Sequence, residues 1–235
     1  MKLTILGNYG PFPAAGGACS GYLVRDGGYN ILIDCGSGVL SNLQKIIRIE
    51  DIDAVIITHL HNDHMSDMLI LQYAVDLKNK RENMNKIITV YAPGEPLDIY
   101  SRLDMESIFD LNPITEGMVL NFGDLKFTFA EMRHPVKCFA VSIKSKEKRF
   151  VYSGDTAWCD SIPDFSRDAD LLMLDAGLLS KDKKDENAAH LTARECGIIA
   201  KTSGAKLLLL THLWPGYKPD DLLKEAKEAF DNVKL

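Results

Sequence analysis

Residues 56 to 67 read IITHLHNDHMSD, and six consecutive positions of that run carry His59, His61, Asp63 and His64. Imidazole and carboxylate are the groups that Zn(II) and similar borderline ions accept, at metal-ligand distances of about 2.0 to 2.2 Å. The chain has six histidines in all, and three of them crowd into this one run. Several such groups in a short loop fill most of a coordination sphere, which a polar loop with incidental histidines would not do.

The spacing says what must hold them. Residues two apart share a strand face and residues four apart share a helix face, and His59, His61 and His64 keep to neither period throughout. We therefore expect a loop, delivered by the apolar run DAVIITH (53 to 59). A helix beginning near Ser66 as N-cap carries the chain away, with Leu69, Ile70, Tyr73, Ala74 and Leu77 as its apolar face. Rigid elements then clamp both ends of the histidine run.

Similar apolar runs punctuated by Gly, Pro and Asp predict further strands at 3 to 7, 21 to 25, 29 to 36, 87 to 92, 123 to 132, 139 to 145, 149 to 155, 169 to 176 and 205 to 212. Late helices fit 192 to 202 and 220 to 230. Strand-rich halves that each finish in helices predict two sheets packed face to face with helices outside, an α/β arrangement. IITHL at 56 to 60 and LLLTHL at 208 to 213 echo one another and agree with a duplicated plan. GNYGPFPAAGGACSG (7 to 21) reads as a flexible loop at the rim of the site, and KDKKDENAAH (181 to 190) as a mobile surface loop.

The 235 residues, 46% of them hydrophobic, suffice for one substantial domain spanning 1 to 235. A net charge of −6 gives no general electrostatic reason to bind a phosphate backbone. MKLTILGNYG is too short in apolar residues for a secretory h-region and no run approaches bilayer length, so a cytoplasmic protein without membrane spans is expected. The five scattered cysteines show no CxxC pairing, which points to small buried side chains rather than disulfides or a thiolate metal site.

The run THLHNDH, Thr58 to His64, resembles the H-x-H-x-D-H signature of the metallo-beta-lactamase superfamily. The resemblance extends over nearly the whole chain: LIDCGSG (32 to 38) is similar to the family's glycine-bounded aspartate strand. His134 in MRHP, Asp155 in SGDT and His212 in LTHL stand in the order of its remaining ligands. It implies a four-layer αββα sandwich carrying two zinc ions, or manganese or another divalent ion. His59, His61 and His134 would bind one ion, Asp63, His64 and His212 the other, and Asp155 would bridge them. Two such ions can share a water and bring its pKa toward neutrality, so hydrolysis is the implied chemistry, with Asp63 able also to orient that water or accept its proton. Redox di-iron members carry H-x-E-x-D where His61 stands here, and many lactamases place Cys where Asp155 stands, so neither reading is favoured.

A second stretch divides the superfamily further. In AHLTARECG (189 to 197), Thr192 and Glu195 have capping-box spacing, which starts a helix and fixes the residue just upstream, His190. His190-Leu-Thr resembles the H-x-T element of the ribonuclease Z branch and its phosphodiesterase relatives. That resemblance implies that His190 stabilises charge on a scissile phosphate and supplies a proton to the leaving group. The branch commonly pairs this histidine with a Glu, where this chain offers Asp175. Its tRNA-processing members insert a long basic arm between the equivalents of His134 and Asp155, where this chain has only KCFAVSIKSKEKRFVYSG. Lys144, Lys146 and Lys148 in that interval suit a charged hairpin tip.

The expected activity is therefore cleavage of a small phosphodiester, with nucleic acid possible but not favoured. A ribonuclease Z-like tRNA 3'-end endoribonuclease and a glyoxalase II-type thioester hydrolase are the alternatives, and a noncatalytic metal-binding scaffold is the reading from outside enzymology. By analogy with related folds a homodimer is possible. Trp214, Pro215, Gly216 and Tyr217 either line a substrate wall or pack a turn.

Overall fold

The computed structural model describes residues 1–105, 107–185 and 188–235. Its first sheet takes β1 (Lys2–Gly7), β2 (Gly21–Asp26), β3 (Tyr29–Ile33), β4 (Ala54–Ile56), β5 (Ile88–Pro93) and β6 (Phe109–Ile114) in sequence order. β1, β2 and β3 pair antiparallel, then β3 to β6 run parallel. The second sheet holds β7 (Val119–Phe122), β8 (Leu125–Met132), β9 (Cys138–Lys144), β10 (Arg149–Tyr152), β11 (Leu171–Asp175), β12 (Leu208–Thr211) and β13 (Val233–Lys234). It repeats the plan: antiparallel from β7 to β10, parallel from β10 to β13.

Alternation along the strands fills the space between the sheets with Tyr22, Val24, Ile31 and Ile33 from one side and Phe127, Phe139, Val141 and Tyr152 from the other. The outer face of the first sheet is covered by α1 (Val39–Leu43) and α2 (Asn62–Glu82), while α3 (Leu97–Tyr100) follows β5. The outer face of the second sheet lies under α4 (Ser161–Phe165), α5 (Ala193–Ser203) and α6 (Pro219–Lys227). The result is the four-layer αββα sandwich. Among the described residues no helix is long and apolar enough to cross a membrane, and all five cysteines are free, four of them buried.

Four expectations need correction. First, α2 starts at Asn62, with His61 in extended backbone as its N-cap, so Asp63 and His64 sit in the first turn of a helix rather than in a loop that lasts to Ser66. An acidic residue in that turn is favoured by the helix dipole. Second, the buried face of α2 is His64, Met65, Met68, Leu71 and Val75; of the expected face Leu69 and Ala74 do pack, partly buried, against the core, while Ile70, Tyr73 and Leu77 are 55%, 67% and 46% exposed. Two apolar stripes run along this helix, and periodicity cannot choose between them. Anchoring the first turn in the site sets which stripe meets the sheet.

Third, β6, β7 and β13 were not expected. All three are outermost strands of their sheets, and β7 and β13 are also short, at four and two residues. Outermost strands bury less and carry weaker alternation; β6 even tolerates Pro113. Fourth, segment 7 to 21 is stitched down rather than left loose. Tyr9 makes bridges to Cys19 and Leu213, and Leu213 N donates to Asn8 O at 2.8 Å. Of the polar stretch 181 to 190, residues 186 and 187 lie outside the described residues. The lysine-bearing β9–β10 tip is a charged turn as expected: Lys146 pairs with Asp124 and Lys148 with Asp170.

Candidate metal centre

The parallel strands end together, and the chain presents its polar groups just past those ends. His59 follows β4 by three residues, Asp155 follows β10, Asp175 closes β11 and His212 follows β12. His134 follows β8, and His190 precedes the N-cap of α5, whose Thr192–Glu195 capping box forms in full: Glu195 N donates to Thr192 Oγ1 at 3.1 Å and Thr192 N to Glu195 Oε2 at 2.8 Å. Several strands predicted to run on stop short of these residues, since the chain leaves the ladder to turn its side chains inward.

All seven predicted ligands converge. One atom each of His59, His61, His134 and Asp155 lies within 4.8 Å of the others, and the same holds for Asp63, His64, Asp155 and His212, so Asp155 belongs to both groups. In the first, His61 Nδ1 stands 3.1 Å from His59 Nε2 and 3.1 Å from His134 Nε2. In the second, His212 Nε2 lies 3.0 Å from Asp63 Oδ2 and 3.1 Å from Asp155 Oδ2, and His64 Nε2 lies 3.2 Å from Asp155 Oδ1. Donors about 2.1 Å from a tetrahedral ion stand about 3.4 Å apart, so these separations suit a shared cation.

The buried polar atoms support that fit. His64 Nε2 and Asp155 Oδ1 are buried, make no well-formed hydrogen bond and face each other at 3.2 Å, an arrangement that a cation held by both would stabilise. Burial first, and neighbouring imidazoles next, depress the His59 imidazole well below its usual range, and burial likewise lowers His61 and His134, which favours neutral nitrogens in the first group. In the second, burial is outweighed by Asp155 and Asp34 at His64 and by Asp155 and Asp175 at His212, which raise both imidazoles. Burial opposes ionisation of Asp155, but His212, His64 and His59 outweigh it and hold the carboxyl well below the usual range.

Asp34 was the residue sequence reasoning undervalued. It stands just past β3 with φ 55°, is wholly buried, and gathers donors from both sheets. Its Oδ1 accepts Thr58 N–H at 2.8 Å, and its Oδ2 faces His64 Nδ1 at 2.8 Å and accepts Tyr152 Oη–H at 3.0 Å. The hydrogen bond to Nδ1 turns His64 Nε2 toward the cluster. The signals for Asp34 were a carboxylate at the end of an apolar run and the resemblance of LIDCGSG to the family's glycine-bounded aspartate strand, neither of which says what it contacts. Two glycines were also passed over. A Cβ on Gly10 would fall 2.0 Å from His212 Nε2, and one on Gly36 would fall 1.9 Å from the Asp63 carbonyl oxygen. Both let backbone approach the centre where any side chain would collide.

Asp175 does pair with His190, despite being shorter than Glu. Its Oδ2 lies 2.8 Å from His190 Nδ1 and accepts Thr156 N–H at 3.1 Å, and its Oδ1 accepts Gly177 N–H at 2.9 Å. His190 stacks on His212 with ring centroids 4.8 Å apart. Burial disfavours its charge, yet Asp175, Asp155 and Asp63 raise the imidazole to about 9. A protonated imidazole beside two clustered metal-ligand groups can donate to a departing oxygen. Near His134 opens a cavity of about 410 Å³ lined by Glu95, Glu131, Pro135 and Lys137. On the His212 side, Trp214 meets Phe12 edge to face, whereas the Tyr217 hydroxyl donates to Asp182.

Comparison with known proteins places this architecture. A family model described as the Beta-lactamase superfamily domain matches residues 29–213. The chain belongs to the metallo-beta-lactamase superfamily. Within that superfamily it is 37% identical to the probable metallo-hydrolase YhfI of Bacillus subtilis, over 98% of this chain and 94% of the relative. The crystal structure of YhfI superposes with a TM-score of 0.91, covering 98% of this chain and 93% of that one. Ribonuclease Z of Brevibacillus brevis is 26% identical over 100% of this chain and 94% of its own. The short form of human tRNase Z shares the fold, with a TM-score of 0.77 at 23% identity, over 91% of this chain and 93% of that one. Metallo-hydrolase relatives and clustered histidine and aspartate groups together support a metal-dependent hydrolase.

Proposed function

We propose that this superfamily member is a dinuclear, zinc-dependent phosphodiesterase acting on a small phosphodiester. The observation that carries the reading is His190, held by Asp175 and stacked on His212 beside the two candidate ligand groups. His59, His61, His134 and Asp155 would hold one ion, and Asp63, His64, His212 and the same Asp155 the other. When bound, two divalent ions lower the pKa of a shared water and neutralise charge that builds on phosphoryl oxygens.

The remaining roles fall to the chain. Asp63, a carboxylate 3.0 Å from His212 Nε2, orients the attacking water and takes its proton as the new oxygen-phosphorus bond forms. His190, whose Nδ1 is engaged by Asp175, passes its Nε2 proton to the leaving oxygen as the old phosphorus-oxygen bond breaks. The cavity of about 410 Å³ beside His134 is within the range of small-ligand sites, about 300 to 1,000 Å³.

A ribonuclease Z-like activity on precursor tRNA is the second reading, favoured by the similarity to ribonuclease Z of Brevibacillus brevis. Against it stand the short β9–β10 hairpin, whose Lys146 and Lys148 are paired with aspartates, and the net charge of −6. The deciding experiment loads purified protein with zinc or manganese and offers bis-p-nitrophenyl phosphate, small nucleotide diesters, S-lactoylglutathione and precursor tRNA. Metal-dependent turnover of the small diesters is expected. Turnover of the thioester alone, or of tRNA alone with steep loss on adding salt, would replace the proposal.

A further inference from the structure

Strand β1 is the outermost strand of the first sheet, and along Lys2 to Ile5 its ladder partner among the described residues is β2 alone. The other side of its backbone is open to accept a strand. A cavity of about 510 Å³ runs along this edge, lined by Lys2, Thr4 and Arg25 and by Leu171, Leu207 and Leu209.

The register sorts these residues by face. Lys2 pairs with Arg25 and Thr4 with Leu23, while Leu3 pairs with Val24 and Ile5 with Tyr22. Leu23 belongs to the core under the helices, and Val24 and Tyr22 to the core between the sheets. Lys2, Thr4 and Arg25 therefore lie on the helix side, and Leu3 and Ile5 on the inter-sheet side with Leu171 and Leu209. The helix side carries two cations, and among the described residues no acidic one lines the cavity. Arg25 Nε and Thr4 Oγ1 are buried there without a hydrogen-bond partner, and the neighbouring Asp26 is taken by the amino group of Met1 at 3.3 Å.

We propose that the β1 edge binds an extended peptide segment of a partner protein, one in which acidic residues alternate with apolar ones. Its backbone would extend the first sheet by one strand. Successive side chains of a strand point to opposite faces, so every second residue would meet Lys2 and Arg25 and the others would meet the leucines. The register shift between Ile5 and Gly7 ends the regular edge, which confines pairing to the stretch from Lys2 to Ile5. This groove lies at the start of β12, whose far end leads to His212, so the site is separate from the candidate metal centre.

The test uses the whole protein and a fluorescent, end-capped hexapeptide, Glu-Val-Glu-Val-Glu-Val. Controls are its Lys-for-Glu counterpart and two versions N-methylated on the amides of one edge or the other. Saturable binding by anisotropy is expected, with slowed amide exchange at Lys2 to Ile5, and loss of binding in one N-methylated version only. Arg25→Gln should weaken binding roughly two- to fivefold while thermal stability and diester hydrolysis stay unchanged. No binding, equal binding of the Lys peptide, equal binding of both N-methylated versions, or no slowing along β1 would each overturn the proposal. So would sedimentation showing that a second copy of this chain already covers the edge.

Discussion

Asp34 and His64 meet 2.8 Å apart, carboxylate to Nδ1, with both side chains wholly buried. The contact fixes which imidazole nitrogen faces the candidate metal centre, and Tyr152 reaches the same carboxylate from the opposite sheet. Asp34→Ala should lower metal affinity about 10- to 100-fold, as loss of such an orienting partner does. Tyr152→Phe should keep the metal and lose about 1 kcal/mol of stability. Chelator competition and chemical unfolding of the two variants separate these outcomes; equal metal affinity in Asp34→Ala would refute the orienting role.

Loss of His190 should be felt at the leaving group. His190→Ala is expected to slow diesters with poor leaving groups by about 10²- to 10⁴-fold and to affect p-nitrophenolate esters much less, since that group departs without a proton. Asp175→Asn should follow the same pattern more weakly. A plot of rate against leaving-group acidity reads this directly, and parallel lines for wild type and variant would remove His190 from the acid role.

Gly10 is held to a hydrogen by geometry, because a Cβ there would fall 2.0 Å from His212 Nε2. Gly10→Ala should displace His212, reduce metal content per chain and cut hydrolysis, with the sandwich still folded. Elemental analysis beside far-UV circular dichroism checks this. An alanine variant with full metal content would contradict it.

The corrected face of α2 makes a stability prediction. Met68 is wholly buried, whereas Tyr73 is 67% exposed. Met68→Ala should cost about 2 to 5 kcal/mol and Tyr73→Ala less than about 0.5 kcal/mol, measured by urea unfolding. The reverse ranking would restore the face read from periodicity.

Asp170 links stability to acid. Hydrogen bonds from Lys206 and from the Arg149 backbone N–H bring its carboxyl from 3.8 down to about 2. Its folded value is depressed, so its contribution is complete above the ordinary value and fades as pH falls from 3.8 toward 2. With Lys206 and Lys148, which pair with this carboxylate, largely exposed, the gain is less than about 1 kcal/mol. Melting curves of wild type and Asp170→Asn should differ slightly near neutrality and converge at the acid end; a gap that persists there would exclude this linkage.

The sequence by itself determined which groups could do chemistry and in what order they come. Local signals place many of them: apolar runs deliver His59, Asp155 and His212 to strand ends, a capping box fixes His190 at a helix start, and the resemblance of the ordered motifs to the family adds His134 and the ligand roles. Such signals are short-range, written in the alternation and capping preferences of a few neighbouring residues, and so they survive without any knowledge of packing. What they leave open is which distant groups meet. Asp34 lies 24 residues before Thr58 and 118 before Tyr152, and nothing near it in the chain marks the donors it collects. Gly10 matters only because folding lays its backbone against His212. The buried stripe of α2 was decided by where its first turn is anchored, and the open edge of β1 by strand order. Those outcomes depend on register and on how the layers stack, so only the tertiary structure could settle them.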